Sequence, residues 1–350
     1  MDFLLREHGR CCAVGENVVI SPYTNSNEKK RMSTTSRRSF LRRSLMAAAA
    51  AAIAPSLPAA VSKSVSKQRS GRPKAKRVLM VALDGICVDG FKQARTPNLD
   101  ALLADGVLST DTRVVMPSNT QPNWMSHLSG SGPEIHGVDR NDWLLDNHTL
   151  PSLVTDTDGY YPTLFKVLKD NVAGMATAFY YNWAELINPY NRRYLDEVSF
   201  EADDRYLDNY AKALTFMRQH REDPTVVFLY SVHTDHAGHK HTWMSPQYIA
   251  AIEEADVHIG ELFDSMKADG LYDDTHIMFI TDHGGINYGH GGMSVNEMIV
   301  PWGITGPGIA RGVKMTEPNN TVNTASVILS LFGVEQPLCW TGEIPGSIFA

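Results

Sequence analysis

Three segments of the chain place carboxylates and imidazoles directly after an apolar run that is typical of a buried strand. The side chains that they contribute are oxygen and nitrogen donors, and six form the candidate set: Asp84, Asp235, His239, Asp282, His283 and His290. Asp235 and His239 are four residues apart, so a helical or tight turn would let both reach one cation. Three carboxylates and three imidazoles without thiolates suit two Zn²⁺-like ions that keep positions open for a substrate. The pattern therefore predicts a site for two divalent metal ions.

A hydroxyl group precedes a predicted helix in the segment 116–124. Thr120 lies just before Pro122, and the helical stretch 124–128 ends at Gly130. The free amides and positive end of a helix N-terminus favour a phosphate. A threonine held by a metal would lose its proton more easily than a free alcohol and could attack phosphorus. A helix cap is the simpler interpretation of Thr120 taken alone.

Apolar runs alternate with helical periodicity along the chain from residue 77 onward. Strands are predicted at 78–83, 107–115, 225–230, 276–281 and 298–300, and helices at 96–103, 124–128, 163–168, 247–266 and 324–331. This alternation predicts an α/β fold with a mainly parallel sheet covered on both faces, and ligands gather at the carboxyl ends of such strands. The stretch 139–223 is less periodic and is predicted to be an irregular excursion near the site.

The first 60 residues carry 9 Lys and Arg against 4 Asp and Glu, whereas the remaining 290 carry a net charge of −12, from 23 against 35. Paired arginines in the segment 36–41 precede an Ala-rich apolar run and then small residues at 58–60, which is typical of a twin-arginine export signal. The apolar run at 45–54 is shorter than the ~20 residues that span a bilayer.

These features predict the domain organisation of the chain. Residues 1–31 are expected to lie upstream of the true start, because Met32 stands just ahead of the signal. Residues 32–60 are then the export signal, 61–76 a linker and 77–350 a single catalytic domain. The mature protein is expected to be periplasmic or secreted through the twin-arginine machinery and to have no membrane span. A net charge of −7 gives no indication of nucleic-acid binding.

The motifs, taken together and in order, resemble the type I phosphodiesterase/nucleotide pyrophosphatase family of the alkaline phosphatase superfamily. The resemblance covers about residues 77–345 and is carried by Leu83-Asp84-Gly85, Thr120-Gln121-Pro122-Asn123, Asp235-x-x-Gly238-His239, Asp282-His283-Gly284 and His290-Gly291. It implies an alkaline-phosphatase-like three-layer α/β/α sandwich. It also implies a hydrolase that cleaves phosphodiester or pyrophosphate bonds in a small phosphate-ester substrate.

The same resemblance implies a role for each matching residue. One zinc ion would be held by Asp235, His239 and His290. The second would be held by Asp84, Asp282 and His283, with the hydroxyl of Thr120 as a further ligand. Thr120 would be the nucleophile of two in-line displacements through a phospho-threonine intermediate. The side-chain amide of Asn123 would donate to a non-bridging phosphoryl oxygen.

Several alternatives can be compared on the same residues. A sulfatase would carry Cys or Ser at the position of Thr120 and Arg at that of Trp124, so it is disfavoured. A phosphomonoesterase needs an arginine at the nucleophile; none adjoins Thr120, and a remote one such as Arg113 or Arg140 stays open. A non-catalytic metal- or phosphate-binding protein is the alternative from another class. A polar loop is the favoured interpretation of the further histidines that crowd one segment: His233, His236 and His241. A bridge between Cys87 and Cys339 stays open.

Overall fold

The computed structural model describes residues 75–202 and 205–350, so the predicted export signal lies outside the described residues. Its strands are β1 (Arg77–Leu83), β2 (Gly106–Arg113), β3 (Ala176–Tyr181), β4 (Glu197–Phe200), β5 (Thr225–Ser231), β6 (Thr275–Ile280), β7 (Ile299–Thr305), β8 (Val313–Lys314) and β9 (Asn319–Asn320). Its helices are α1 (Val88–Gln93), α2 (Pro97–Ala104), α3 (Thr120–Ser129), α4 (Pro133–His136), α5 (Leu164–Asn171), α6 (Tyr206–Gln219), α7 (His233–His241), α8 (Pro246–Ala268), α9 (Val295–Met298) and α10 (Asn323–Leu331).

The strands of the described residues form one sheet in the order β4-β3-β5-β1-β6-β7-β2-β8, with β9 also paired to β2. β1 lies at the centre, parallel to both β5 and β6. Among these strands, only β7 runs antiparallel to its neighbours, β6 and β2. The predicted mainly parallel sheet is therefore confirmed.

The central strand β1 is buried on both faces, which explains why its sequence is continuously apolar. Val78 and Met80 belong to one apolar cluster, to which α3, α5 and α10 contribute. Leu79 and Val81 belong to a second cluster, to which α1, α2, α6 and α8 contribute. Helices thus cover both faces of the sheet, and the predicted three-layer α/β/α architecture is confirmed.

The segment 139–223 is more regular than its sequence indicates. It contains α5, which the sequence predicts as a helix at 163–168, and also β3, β4 and α6, which it does not predict. β3 reads Ala-Thr-Ala-Phe-Tyr-Tyr and is buried on both faces, so it shows no alternation of polar and apolar residues. β4 is a four-residue edge strand that is half-buried. Neither strand has the periodicity from which a strand is predicted.

Strand β7 continues through Pro301, where the sequence predicted its end. The pairing of β2 with β7 shifts between Ser109 and Thr112, which face Trp302 and Val300. Pro301 lies opposite this irregularity and beyond the last residue pair between β6 and β7. Its missing N–H therefore removes no bond from the sheet, which is the position in which a strand tolerates proline.

The two cysteines of the described residues are free thiols, so Cys87 and Cys339 are not bridged in this structure. Among residues 75–202 and 205–350, no helix has both the length and the apolar character needed to cross a membrane.

Candidate metal and phosphoryl site

The carboxyl ends of three neighbouring strands bring the predicted ligands together. Asp84 follows β1, Asp235 lies in α7 directly after β5, and Asp282 and His283 follow β6. Because β1 pairs with both β5 and β6, these ends meet at one edge of the sheet. Two groups of ligand atoms result, and within each group the atoms lie within 4.8 Å of one another. The first group is Asp84, Asp282 and His283, and the second is Asp235, His283 and His290.

The first group is completely buried. Oδ1 of Asp84 and Oδ2 of Asp282 lie 3.4 and 3.3 Å from Nε2 of His283, and neither oxygen has a hydrogen-bond partner. The other oxygen of Asp84 accepts from the hydroxyl of Tyr230 at 2.5 Å and from the indole of Trp124 at 3.4 Å. The other oxygen of Asp282 accepts from the backbone N–H of Gly85 at 3.2 Å. Each carboxylate is thus oriented through one oxygen and presents the other to the centre.

His239 is not one of the three residues of the second group but adjoins it through Asp235 on the side toward the surface. Asp235 lies 3.8 Å from Nε2 of His290 through Oδ1 and 3.4 Å from Nε2 of His239 through Oδ2. Asp235 and His239 occupy successive turns of α7, as their spacing predicted. The ring of His290 stacks on that of His283, with centroids 3.8 Å apart, and joins the two groups.

All three histidines are fixed in the same tautomer by the backbone. Nδ1 of His239 donates to the carbonyl of Tyr288 at 2.8 Å. Nδ1 of His283 donates to the carbonyl of Gly284 at 2.8 Å, and Nδ1 of His290 donates to that of Ser118 at 3.0 Å. Nε2 of each ring faces the carboxylates. Histidine ligands of metal ions are commonly held in this way, with one ring nitrogen donating to a carbonyl and the other free to bind.

The charges of the site fit a cation. No lysine or arginine in the described part of the chain forms an ion pair with Asp84 or Asp282. Burial raises the pKa of both carboxyls, and the charge of Asp235 raises that of Asp84 further. Burial lowers the pKa of His283, and it lowers the pKa of His290 to about 4. Buried carboxylates beside neutral imidazoles are costly unless a positive ion compensates them, so these residues fit divalent metal ions.

Thr120 is the first residue of α3 and lies against the first group. Its hydroxyl is 3.2 Å from Nε2 of His283 and 3.4 Å from the side-chain amide nitrogen of Asn141. The side-chain oxygen of Asn141 accepts from the backbone N–H of Gln121 at 3.0 Å, which directs the amide nitrogen toward Thr120. Gln121 in turn accepts from the N–H of Trp143 and donates to the carbonyl of Glu185. The hydroxyl therefore faces both an amide donor and the ligand groups.

The side chain of Asn123 makes other contacts than the one predicted for it. Its side chain is completely buried within the turn before α3. The amide nitrogen lies within hydrogen-bond distance of the carbonyls of Pro117 and Asn119, and the oxygen accepts from Val115 at 2.8 Å. These contacts hold the turn and leave no donor for a phosphoryl oxygen. The amide nitrogen of Asn141 lies beside the Thr120 hydroxyl instead, and no spacing pattern marks Asn141 in the sequence, since it lies in a loop among charged residues.

Glycines and one tryptophan fix the loops that carry the ligands. A Cβ on Gly85, which has a φ of +74°, would lie 2.9 Å from Cα of Asp235. The indole of Trp243 donates to the carbonyl of Gly85 at 2.9 Å, and a Cβ on Gly238 or Gly285 would collide with its ring. Trp243 thereby connects the loops after β1 and β6 with the end of α7.

The further histidines of this segment are helical, so the polar-loop interpretation is wrong. His233 begins α7, and its buried ring stacks on Tyr206 at a centroid distance of 4.1 Å. His236 and His241 lie in the same helix. The run forms a helix because it packs against α8, which supplies the carbonyl of Ala251 near Nε2 of His233. Arg140 is bonded to Asp142 and Thr149, not to Thr120.

The fold and this arrangement together define an alkaline-phosphatase-like α/β protein. A family model described as type I phosphodiesterase/nucleotide pyrophosphatase matches residues 78–317. The chain belongs to this family.

Similar proteins include an uncharacterized pyrophosphatase/phosphodiesterase of Schizosaccharomyces pombe, 27% identical over 59% of this chain and 44% of the relative. A bis(5'-adenosyl)-triphosphatase, ENPP4, of Bos taurus is 26% identical over 59% of this chain and 47% of the relative. The chain therefore spans about half the length of these relatives. Human ectonucleotide pyrophosphatase/phosphodiesterase 5 has a similar fold, with a TM-score of 0.64 at 15% identity, covering 77% of this chain and 97% of that one. An inactive variant of the murine counterpart has been solved in complex with AMP, with a TM-score of 0.63 at 15% identity over 76% of this chain and 96% of that one.

Proposed function

We propose that this protein is a metal-dependent hydrolase of phosphodiester or pyrophosphate bonds and that Thr120 is its nucleophile. The observation that carries this proposal is the position of the Thr120 hydroxyl, on the first residue of α3 and 3.2 Å from His283. The family, and the names of the relatives as a pyrophosphatase/phosphodiesterase and a triphosphatase, support the reaction class.

Two divalent ions, most simply Zn²⁺, fit the ligand set. Asp84, Asp282 and His283 would hold one ion beside Thr120. Asp235, His239 and His290 would hold the other. When bound, the ions supply Lewis-acid stabilisation of the phosphoryl and leaving oxygens. Metal analysis of active protein should find two ions per chain, and fewer than one would contradict the proposal.

The residues of this chain would act in two displacements. The hydroxyl of Thr120 gives up its proton to solvent and its oxygen forms a bond to phosphorus as the bond to the leaving oxygen breaks, and the leaving group takes a proton from solvent. Water then attacks the phosphorylated Thr120, which for a diester still carries the second ester group. One proton of the water passes to the oxygen of Thr120 as the phosphate monoester leaves. Asn141 would donate its amide N–H to a non-bridging oxygen in both steps, and the N-terminus of α3 favours the same charge.

Diesters are favoured over monoesters by the donors around Thr120. A monoester brings a second full negative charge, which an arginine would neutralise, and the arginine nearest in sequence to Asn141 is bonded to Asp142 at 3.0 Å. A panel of p-nitrophenyl monoester, diester, nucleotide diester and sulfate substrates tests this order. Preference for the monoester or the sulfate would reject it.

The nucleophile is tested directly by trapping the intermediate. Acid quenching during turnover should leave the phosphoryl group, with its remaining ester group, on the peptide that contains Thr120, as detected by mass spectrometry. Thr120→Ala should abolish both turnover and this label, whereas Thr120→Ser should restore part of both. Full turnover by the alanine variant would exclude the assignment.

Export by the twin-arginine pathway is proposed from residues 36–60 alone. Fractionation of cells that express the full chain should place the protein outside the cytoplasm. Replacement of the paired Arg37 and Arg38 by lysine should retain it inside.

A further inference from the structure

Five exposed apolar side chains, here called the apolar rim, stand beside the candidate site. Ile286, Tyr288, Met293 and Val295 are 45, 63, 76 and 74% exposed, and Met116 is 39% exposed. Four of the five belong to the ten residues around His290. Large apolar side chains are costly in water, and a concentration of them in one segment usually marks a binding surface.

The backbone of this segment is tied to the site on two sides. The carbonyl of Tyr288 accepts from Nδ1 of His239 at 2.8 Å, so Tyr288 stands at the exposed end of the second ligand group. The carbonyl of Gly292, directly before Met293, accepts from the hydroxyl of Ser118 at 2.7 Å. Ser118 lies two residues before Thr120 and two after Met116. The rim therefore flanks the site at His239 and at the nucleophile.

The rim carries no formal charge. No Lys, Arg, Asp or Glu occurs between residues 284 and 296. The next charged residue, Glu297, is buried, and its carboxylate accepts the backbone N–H groups of Gly292 and Ser294 at 2.7 and 3.0 Å. This segment thus offers apolar contact and no ion pair to whatever part of a substrate lies over it.

We propose that the apolar rim binds an alkyl ester group of the substrate, so that this protein prefers phosphodiesters with an apolar chain. The inference rests on the proposed function, because it places the phosphoryl group of the diester at Thr120. The ester group that does not leave would then lie over the residues beside Thr120 or His239. The apolar, uncharged character of both flanks selects an alkyl chain over a charged group.

The experiment compares p-nitrophenyl methyl, butyl and octyl phosphate, each below its aggregation concentration. All three share one leaving group, so chemistry is constant and only the second ester group changes. For the unmodified protein, kcat/KM should rise roughly tenfold from methyl to octyl through KM, which corresponds to burial of about two methylene groups. In Tyr288→Ser/Met293→Ser the octyl-to-methyl ratio of kcat/KM should fall toward one. Leu153→Ser/Leu338→Ser, which changes two exposed leucines outside the rim segment, is the matched control.

The outcomes separate the rim from the reaction. Turnover of the methyl ester without a chain-length preference, or a ratio that survives in the double variant, would overturn the rim and leave the proposed function intact. Absence of turnover for every ester would reject the proposed function and the rim with it. Binding of phosphatidylcholine vesicles that the double variant loses, with an unchanged ester ratio, would reassign the rim to a membrane surface.

Discussion

Two asparagines near Thr120 have opposite environments. Asn141 makes one bond to Gln121 and directs its amide nitrogen at the Thr120 hydroxyl, 3.4 Å away. Asn123 uses its amide and its oxygen within the turn before α3. Asn141 therefore has a donor that faces the Thr120 hydroxyl, and Asn123 holds the backbone that precedes Thr120.

Alanine substitutions should therefore separate the two asparagines. Asn141→Ala should lower kcat/KM for a diester about 100-fold, the cost of one lost oxyanion donor, and change stability by about 1 kcal/mol or less. Asn123→Ala should cost about 3 kcal/mol of unfolding free energy because buried backbone groups lose their partner. Steady-state kinetics and urea unfolding of both variants measure the contrast. An inactive, stable Asn123→Ala protein beside a fully active Asn141→Ala protein would return the role to Asn123.

Tyr230 acts on the site through Asp84. Its hydroxyl donates to the oxygen of Asp84 that faces away from the ligand group. Removal of that bond in Tyr230→Phe frees the carboxylate to rotate, so metal affinity should fall about 10- to 100-fold. Tyr190→Phe is the control, because Tyr190 is equally buried and its hydroxyl has no hydrogen-bond partner. Titration with a competing chelator gives both affinities, and equal values for the two variants would remove Tyr230 from the site.

At the scale of elements, the ligand loops are held by contacts that only glycine permits. Gly284 and Gly285 follow His283, and a Cβ on Gly285 would lie 2.2 Å from the ring of Trp243. Trp243 also donates its backbone N–H to the carbonyl of Asn287 at 2.8 Å, so the loop and the tryptophan can move only together.

Gly285→Ala should displace Trp243 and cost about 2 kcal/mol, the usual penalty for overpacking. Gly289→Ala lies in the same loop and its Cβ meets nothing within 4 Å, so it is the matched control. Unfolding free energies and the emission wavelength of tryptophan fluorescence should change in the first variant and not in the second. Equal stability of the two proteins would show that Trp243 accommodates the added methyl group.

The elements that could be predicted from sequence are those with strong local patterns. β1, β5 and β6 are continuous apolar runs, and α8 has regular helical spacing, so the strand ends and the ligands on them were accessible from the residues alone. β3 and β4 have no such pattern. Asn141 was missed for a related reason, because its approach to Thr120 depends on the contacts of Gln121 with two distant backbone segments.

At the scale of the whole molecule, two buried histidines outside the ligand set make folding sensitive to acid. In His136, Nδ1 accepts from the backbone N–H of Val138 at 3.0 Å. His127 lies 2.8 Å from the hydroxyl of Thr324 and 3.1 Å from the carbonyl of Thr281. Burial lowers the pKa of each to about 3, from an ordinary 6.5.

The sign of the pH dependence follows from these pKa values. Between pH 6.5 and 3 the unfolded chain binds protons that the folded chain excludes, so their stabilisation is complete above pH 6.5 and is lost as the pH falls. Each histidine should lower the free energy of unfolding at pH 5 by about 2 kcal/mol relative to pH 7. Urea unfolding with a chelator present keeps metal binding out of the comparison. His136→Asn, which retains an acceptor but does not titrate, should reduce the difference between pH 7 and pH 5 by about 2 kcal/mol, and His127→Asn by a similar amount. An unchanged difference in both variants would mean that the acid sensitivity arises elsewhere, as in the imidazoles of His283 and His290, whose pKa values burial also lowers.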